Sequence, residues 1–243
     1  MSVPETSSNI ESEFAGMRLL SVFQGLHDLR AGCVVGHTAS VRPQRDGAEV
    51  AVTELFDPAR ADQDIVRADR LCRMLHAAAY HAPAPRPTRL LVPVHARLLE
   101  TVTVDHGRAY RDALVDAGLG QAPVVICLPD PSHLRTMSLG YLIGSYRLHG
   151  FEIAVRLRDA RGLEDLLART RPTFVLIDHN QYAGQAARMA GAVKMSEQAG
   201  TKPVFIKLES AEQVAQVRAA GATLAQGYYF DRPESQPVQA VQG

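Results

Sequence analysis

Short runs of near-continuous apolar residues recur along this chain, and most are separated by stretches with helical spacing. MRLLSVFQ (17–24), CVVGHTASV (33–41), TRLLVPV (88–94), VVICL (124–128), FEIAVRL (151–157), FVLI (174–177), PVFIKL (203–208) and TLAQGYYF (223–230) read as eight strands. Strands apolar on both faces suit a mainly parallel sheet covered by helices. A turn over Asp28–Gly32 joins the first two. Helices are expected over 61–82, 104–117, 132–148, 161–169, 183–199 and 211–220. In the first of these, Ile65, Ala68, Leu71, Cys72, Leu75 and Ala79 share one face. The Pro-rich APAPRP (82–87) ends it. The fold class is α/β, and a closed barrel and an open doubly wound sheet both satisfy the pattern.

Length and charge narrow the function classes. A (β/α)₈ barrel takes about 250 residues, and this chain has 243. A single domain over 15–233 is therefore expected, with disordered tails at 1–14 and 234–243. The 26 basic and 26 acidic residues balance, which argues against direct nucleic-acid binding over the whole surface. Cys33, Cys72 and Cys127 are odd in number and far apart, so reduced thiols are expected rather than a disulfide framework or a zinc site. The polar, acidic N-terminus lacks the pattern of a signal peptide, and no apolar run approaches a membrane span. A cytoplasmic location follows as the expectation.

In a barrel of this kind the chemistry sits at the C-terminal ends of the strands. There the sequence places His95, Asp130, Arg156-Leu157, Asp178-His179 and Lys207. Only Asp130 and Asp178 bring carboxylates. A two-metal hydrolase needs several convergent carboxylates, so no metal or other cofactor is expected. The nine histidines show no HxH or HExxH spacing and read as surface or helix-terminal residues. Cys127, inside an apolar strand, reads as a small core hydrophobe.

AGATLAQGYYFDRP (219–232), closing on Pro233, resembles the end of an EAL domain, the bacterial cyclic di-GMP phosphodiesterase family. GTKPVFIKLESAEQVAQVRAAG (200–221) is similar to the strand and helix before it, FVLID (174–178) to the strand that normally ends Lys-Ile-Asp, and SVFQGLHDLRAGCVVGHTASVR (21–42) to the opening hairpin. The resemblance spans about residues 17–233 and implies a (β/α)₈, TIM-barrel-like EAL fold.

Carried over residue by residue, the resemblance implies an inactive, degenerate member. The Glu-Ala-Leu signature becomes Thr38-Ala39-Ser40, and the Asn of the next strand becomes Pro93. The metal-binding Glu becomes Cys127, with Asp130 where the second acid of that motif stands. The Asp-Asp pair becomes Arg156-Leu157, the catalytic Lys becomes Leu176, and a further Glu becomes Ile206. Gln24, Arg42, Asp178, Glu209, Gln226 and Arg232 are retained, and imply a vestigial ligand pocket. The charged RLRDARGLEDL (156–166) replaces a small-residue loop that supports dimerisation in active relatives.

The implied function is regulation by contact with a protein partner, such as a transcriptional regulator of motility or biofilm genes. Cyclic di-GMP binding is expected to be absent or weak. A non-hydrolysing cyclic di-GMP receptor is the alternative. A third reading is an enzyme with another substrate, using Asp130, Asp178 and His179. Met74, His76, Tyr80 and His81 on the first helix, and Met137, Tyr141 and Tyr146 on 132–148, are candidate contact residues. Tyr141 and Tyr146 lead them, because Leu134, Leu139, Leu142, Ile143 and Tyr146 do not fit one narrow stripe.

Overall fold

The structure is a computed structural model, and residues 10–81, 87–102, 105–135 and 137–237 are described. The chain opens with strands β1 (Glu11–Phe14), β2 (Met17–Asp28), β3 (Cys33–Arg45) and β4 (Ala48–Glu49), then helices α1 (Val52–Leu55) and α2 (Asp62–His81). β5 (Arg89–Pro93), α3 (Ala96–Thr101), α4 (His106–Asp116), β6 (Val124–Leu128), α5 (Leu139–Leu148), β7 (Glu152–Leu157) and α6 (Leu163–Arg169) follow. β8 (Phe174–Asp178), α7 (Ala186–Gln198), β9 (Lys202–Ile206), α8 (Ala211–Ala219) and β10 (Leu224–Ala225) complete the order.

Register decides between the two architectures left open by the sequence. β3, β5, β6, β7, β8, β9 and β10 pair in parallel, each with the next. β2 runs antiparallel to both β3 and β10 and joins the two ends. The sheet therefore closes into an eight-stranded barrel, with β1 and β4 as short antiparallel extensions at one side.

Three apolar layers hold it. Inside the barrel, Leu26, Leu91, Val125, Ala154, Phe174 and Val204 belong to one cluster. Outside, the opposite parity of the strands, such as Val92, Ile126, Val155, Ile177 and Phe205, packs under the helices. A third cluster, including Met17, Leu19, Leu55, Cys72 and Leu75, anchors the long hairpin on α2.

Several expectations shift. The tails expected over 1–14 and 234–243 are ordered at their inner ends. Glu11–Phe14 pair with β2 through a tight turn at Ala15 and Gly16, both at positive φ, and Glu234 bridges Phe23 in both directions. The rest of each tail, and residues 82–86 of the Pro-rich stretch, lie outside the described residues. The strand expected over 223–230 is cut to two residues. Gly227 permits the change: a Cβ there would lie 2.1 Å from the Leu208 carbonyl oxygen, so only glycine lets the chain turn this closely against that backbone. The helix expected over 132–148 begins at Leu139, after a 3₁₀ turn over Pro131–His133 capped by Asp130. Among the described residues no helix is long and apolar enough to cross a membrane.

One buried ion pair ties α2 to the barrel. Arg73 Nε donates to Asp69 Oδ2 at 2.7 Å, with side-chain exposures of 5% and 3%. Asp69 Oδ1 accepts the His95 backbone N–H at 2.7 Å, which fixes the segment after β5. Removing one partner strands a buried charge, which costs about 3–5 kcal/mol. Asp69→Ala should therefore lower the unfolding free energy by about that amount in denaturant titration. Asp69→Leu combined with Arg73→Met should cost clearly less, because no charge is left unpaired.

Candidate functional site

The rim of the barrel, at the C-terminal ends of the parallel strands, collects most of the positions singled out in the sequence. Inward parity is set by register. Thr38 pairs with Leu91, Pro93 with Cys127, Cys127 with Ala154, Arg156 with Leu176, Leu176 with Val204, and Asp178 with Ile206. Thr38, Pro93, Cys127, Arg156, Leu176, Asp178 and Ile206 thus lie on the lumen-facing rows. Cys127, Leu176 and Ile206 are buried and join the interior cluster. Burial raises the Cys127 thiol, against the opposing effect of Arg156, and keeps it a neutral thiol. Pro93, Arg156 and Ser40 are exposed. Leu157 has the other parity and is buried among the outer residues under the helices.

The candidate pocket residues are largely engaged with the protein itself. Gln226 Nε2 donates to the Gln24 carbonyl at 3.0 Å and to Thr38 Oγ1 at 3.0 Å. Gln24 Nε2 donates to the Asp231 carbonyl at 2.9 Å. Arg42 Nη2 donates to the Pro233 carbonyl at 3.1 Å, and its Nε lies 3.4 Å from Glu49. Arg232 stacks over the Tyr228 ring at 5.0 Å. Glu209 is exposed, at the start of α8, where the Ser210 hydroxyl accepts the Gln213 N–H and the Gln213 side chain accepts the Glu209 N–H. Asp231, absent from the sequence reading, accepts the Gly25 N–H at 3.0 Å and faces His27 Nε2 at 3.3 Å. It sits 206 residues from Gly25, and no local pattern marks such a pair.

Asp178 is the carboxylate on the inward rows at the end of β8. Its Oδ2 lies 2.7 Å from Lys207 Nζ, and its Oδ1 accepts the Asn180 N–H at 3.0 Å. Partial burial raises its pKa, but the Lys207 and Asn180 donors outweigh that and hold it below the usual carboxylate range. Lys207 reaches this position from a left-handed backbone, φ +63°. Asp130, at the end of β6, accepts the Ser132 and Arg158 N–H groups. Burial again opposes these bonds, and they leave it below its ordinary value. His179 is buried and its Nε2 pairs with Gln216 at 3.0 Å. Asp130 and Asp178 thus spend their carboxylates on separate structural partners, and His179 is held through Nε2 while its Nδ1 is buried without a hydrogen-bond partner. Among the described residues no three His, Cys, Asp or Glu side chains gather where they could hold a metal ion.

The contact-surface expectations need correction. Tyr146 is fully buried, between Phe151 and His106, so it is core and not a contact residue. His76, Tyr80 and His81 are buried too, because α2 lies directly on the hairpin: His76 Nδ1 meets Ser21 Oγ at 2.7 Å, and Tyr80 packs on Phe23. Met74 and Met137 are partly buried against the same core. Tyr141 stays exposed, at 47%. His37, His76, His81, His106 and His179 are buried; His81 ends α2 and His106 opens α4, as the helix-terminal reading allows, whereas His37 and His76 fit neither the surface nor the helix-terminal reading. Their periodicity in the sequence is shared with polar surface positions, and only packing separates the two.

No protein-family model matches the sequence, and no curated protein matches it. Solved structures do. The chain superimposes on the Bacillus subtilis YkuI protein, with an EAL domain, solved in complex with substrate cyclic di-GMP and calcium, with a TM-score of 0.78 at 17% identity. Klebsiella pneumoniae BlrP1, in a manganese and cyclic di-GMP complex, gives 0.76 at 20%. A standalone versatile EAL protein from Vibrio cholerae O395, in its cyclic di-GMP-bound form, gives 0.72 at 20%. These matches cover 91%, 92% and 91% of this chain. The chain spans 57% of YkuI and 58% of BlrP1, but 95% of the Vibrio protein. The chain therefore has the TIM-barrel-like fold of the EAL domains.

Proposed function

We propose that this chain is a non-hydrolysing EAL-type barrel that acts by contact with a protein partner, such as a transcriptional regulator of motility or biofilm genes. The observation that carries the first half is the composition of the inward rows at the rim. Thr38, Pro93, Cys127, Arg156, Leu176 and Ile206 offer no carboxylate, and the Asp178 carboxylate is held by Lys207 at 2.7 Å. The calcium and manganese named with YkuI and BlrP1 are hard cations that need several oxygen ligands. Here a cation would meet one engaged carboxylate beside an ammonium and a guanidinium. The residues do not fit such a metal. The contact half is supported by the one leading candidate that lies on the surface, Tyr141 on α5.

A second reading, a receptor that binds cyclic di-GMP without cleaving it, is favoured by the ligand named with all three similar structures. Against strong binding, Arg42 and Arg232 are already occupied by Pro233, Glu49 and Tyr228.

Three measurements test this. Incubated with cyclic di-GMP and Mg²⁺ or Mn²⁺, the protein should release no product above a no-enzyme blank, and calorimetry should give no dissociation constant near or below about 1 μM. EDTA-sensitive linear turnover overturns the inactive reading. Tight binding lost in Arg42→Ala makes the receptor reading the better one. In affinity capture from the native host, Tyr141→Glu should lose a partner that the wild type retains, with thermal unfolding nearly unchanged, since the side chain is outside the core. A full set of captured proteins in both samples removes α5 as the contact face.

A further inference from the structure

Away from the barrel rim, a cleft of 280 Å³ lies between α2, α3 and α4. That is just below the roughly 300–1,000 Å³ of sites for drug-sized ligands. Its walls include Met74 and Leu98, and Ala113 of α4 faces it. Its lip carries the exposed residues Arg70 and Ala109. Arg73 and His106 also line it.

The polar groups here are not satisfied by the protein. Arg73 Nη1, both ring nitrogens of His106 and the hydroxyl of the neighbouring Tyr146 are buried without a hydrogen-bond partner. A buried polar atom left unpaired costs about 1–3 kcal/mol, and such clusters call for a bound group. The surroundings set its charge. Both oxygens of Asp69 are taken, one by Arg73 Nε and one by the His95 N–H. The Tyr110 ring covers one face of the guanidinium at 4.5 Å, and its hydroxyl donates to the Arg73 carbonyl. Asp105, beside His106, faces His149 Nε2 at 3.0 Å. On the α2 side of the cleft Arg70 and Arg73 against Asp69 leave one positive charge in excess, beside a largely aliphatic wall.

We propose that this cleft binds a small organic anion, a carboxylate carried on a short apolar body. The carboxylate takes the guanidinium and imidazole donors as charge-assisted partners, and the apolar body lies along Met74, Leu98 and Ala113. This site is independent of the barrel rim, so its failure and that of the reading above are separate results.

The test is a ¹H–¹⁵N NMR titration of the full chain with octanoate, with octan-1-ol as the uncharged match. Octanoate should shift the amides of 106–113 and the Arg73 Nε–H signal saturably, and bind about tenfold tighter than the alcohol, a difference of about 1.4 kcal/mol. Ala113→Leu, which fills the cleft with a good helix former, should abolish the shifts. Arg70→Ser, at the exposed lip, should weaken binding severalfold and gives a second measure should the filled variant fold poorly. Equal affinity for the alcohol overturns the proposal, and so does full binding by Ala113→Leu. No saturable shift up to about 10 mM, an affinity of only about 3 kcal/mol, also overturns it and leaves trapped water as the partner of these atoms.

Discussion

Everything in this molecule depends on β2 running against the direction of the other barrel strands. Seven strands wind round in parallel and leave two edges, β3 and β10, that are filled by one antiparallel strand between them. The β3 side is a long ladder. The β10 side holds only Leu224 and Ala225 against Asp28 and His27. So short a ladder leaves the closing seam thin, and side chains reinforce it. Gln226 reaches across to the Gln24 carbonyl and Thr38, Gln24 holds the Asp231 carbonyl, Asp231 takes the Gly25 N–H, and Arg42 takes the Pro233 carbonyl. The Phe23–Glu234 bridge extends the seam by two backbone hydrogen bonds. Residues that the family resemblance places in a ligand pocket here do structural work at the seam.

The rim follows from the same geometry. In a small barrel the inward side chains of the last layer face one another across the lumen. A ring of carboxylates there would repel unless a cation neutralised it. This chain removes the requirement. Cys127, Leu176 and Ile206 extend the apolar interior upward by a layer, and each well-buried aliphatic side chain contributes about 1.5–3 kcal/mol relative to exposure. The Asp178 carboxylate on the inward row is neutralised from within the chain by Lys207. Because that ion pair is more than half exposed on the lysine side, it adds little to stability. Its effect is on charge: Lys207 offsets the Asp178 carboxylate, and Arg156 adds a further positive charge to the rim.

How much of this the sequence discloses depends on the range of the interaction. The strands show themselves because apolar runs such as VVICL and FVLI are local, and their order with the helices places the rim. Closure is less visible, since it rests on pairs such as Gln24–Asp231 and Gln226–Thr38, which lie 207 and 188 residues apart. The short elements are missed for a different reason. β4 and α1 have two and four residues, too few to show a period. Tyr141 and Tyr146 show the limit most clearly. Five positions apart on one helix, they read alike in sequence, yet Tyr146 turns into the space between Phe151 and His106 while Tyr141 faces out. At five positions' separation they lie about 140° apart round the helix, so packing one into the core turns the other outward. α5 itself begins at Leu139, after the Asp130-capped turn at Pro131–His133. The face a helix presents is decided by the loop that delivers it, and loop geometry is what residue periodicity carries least.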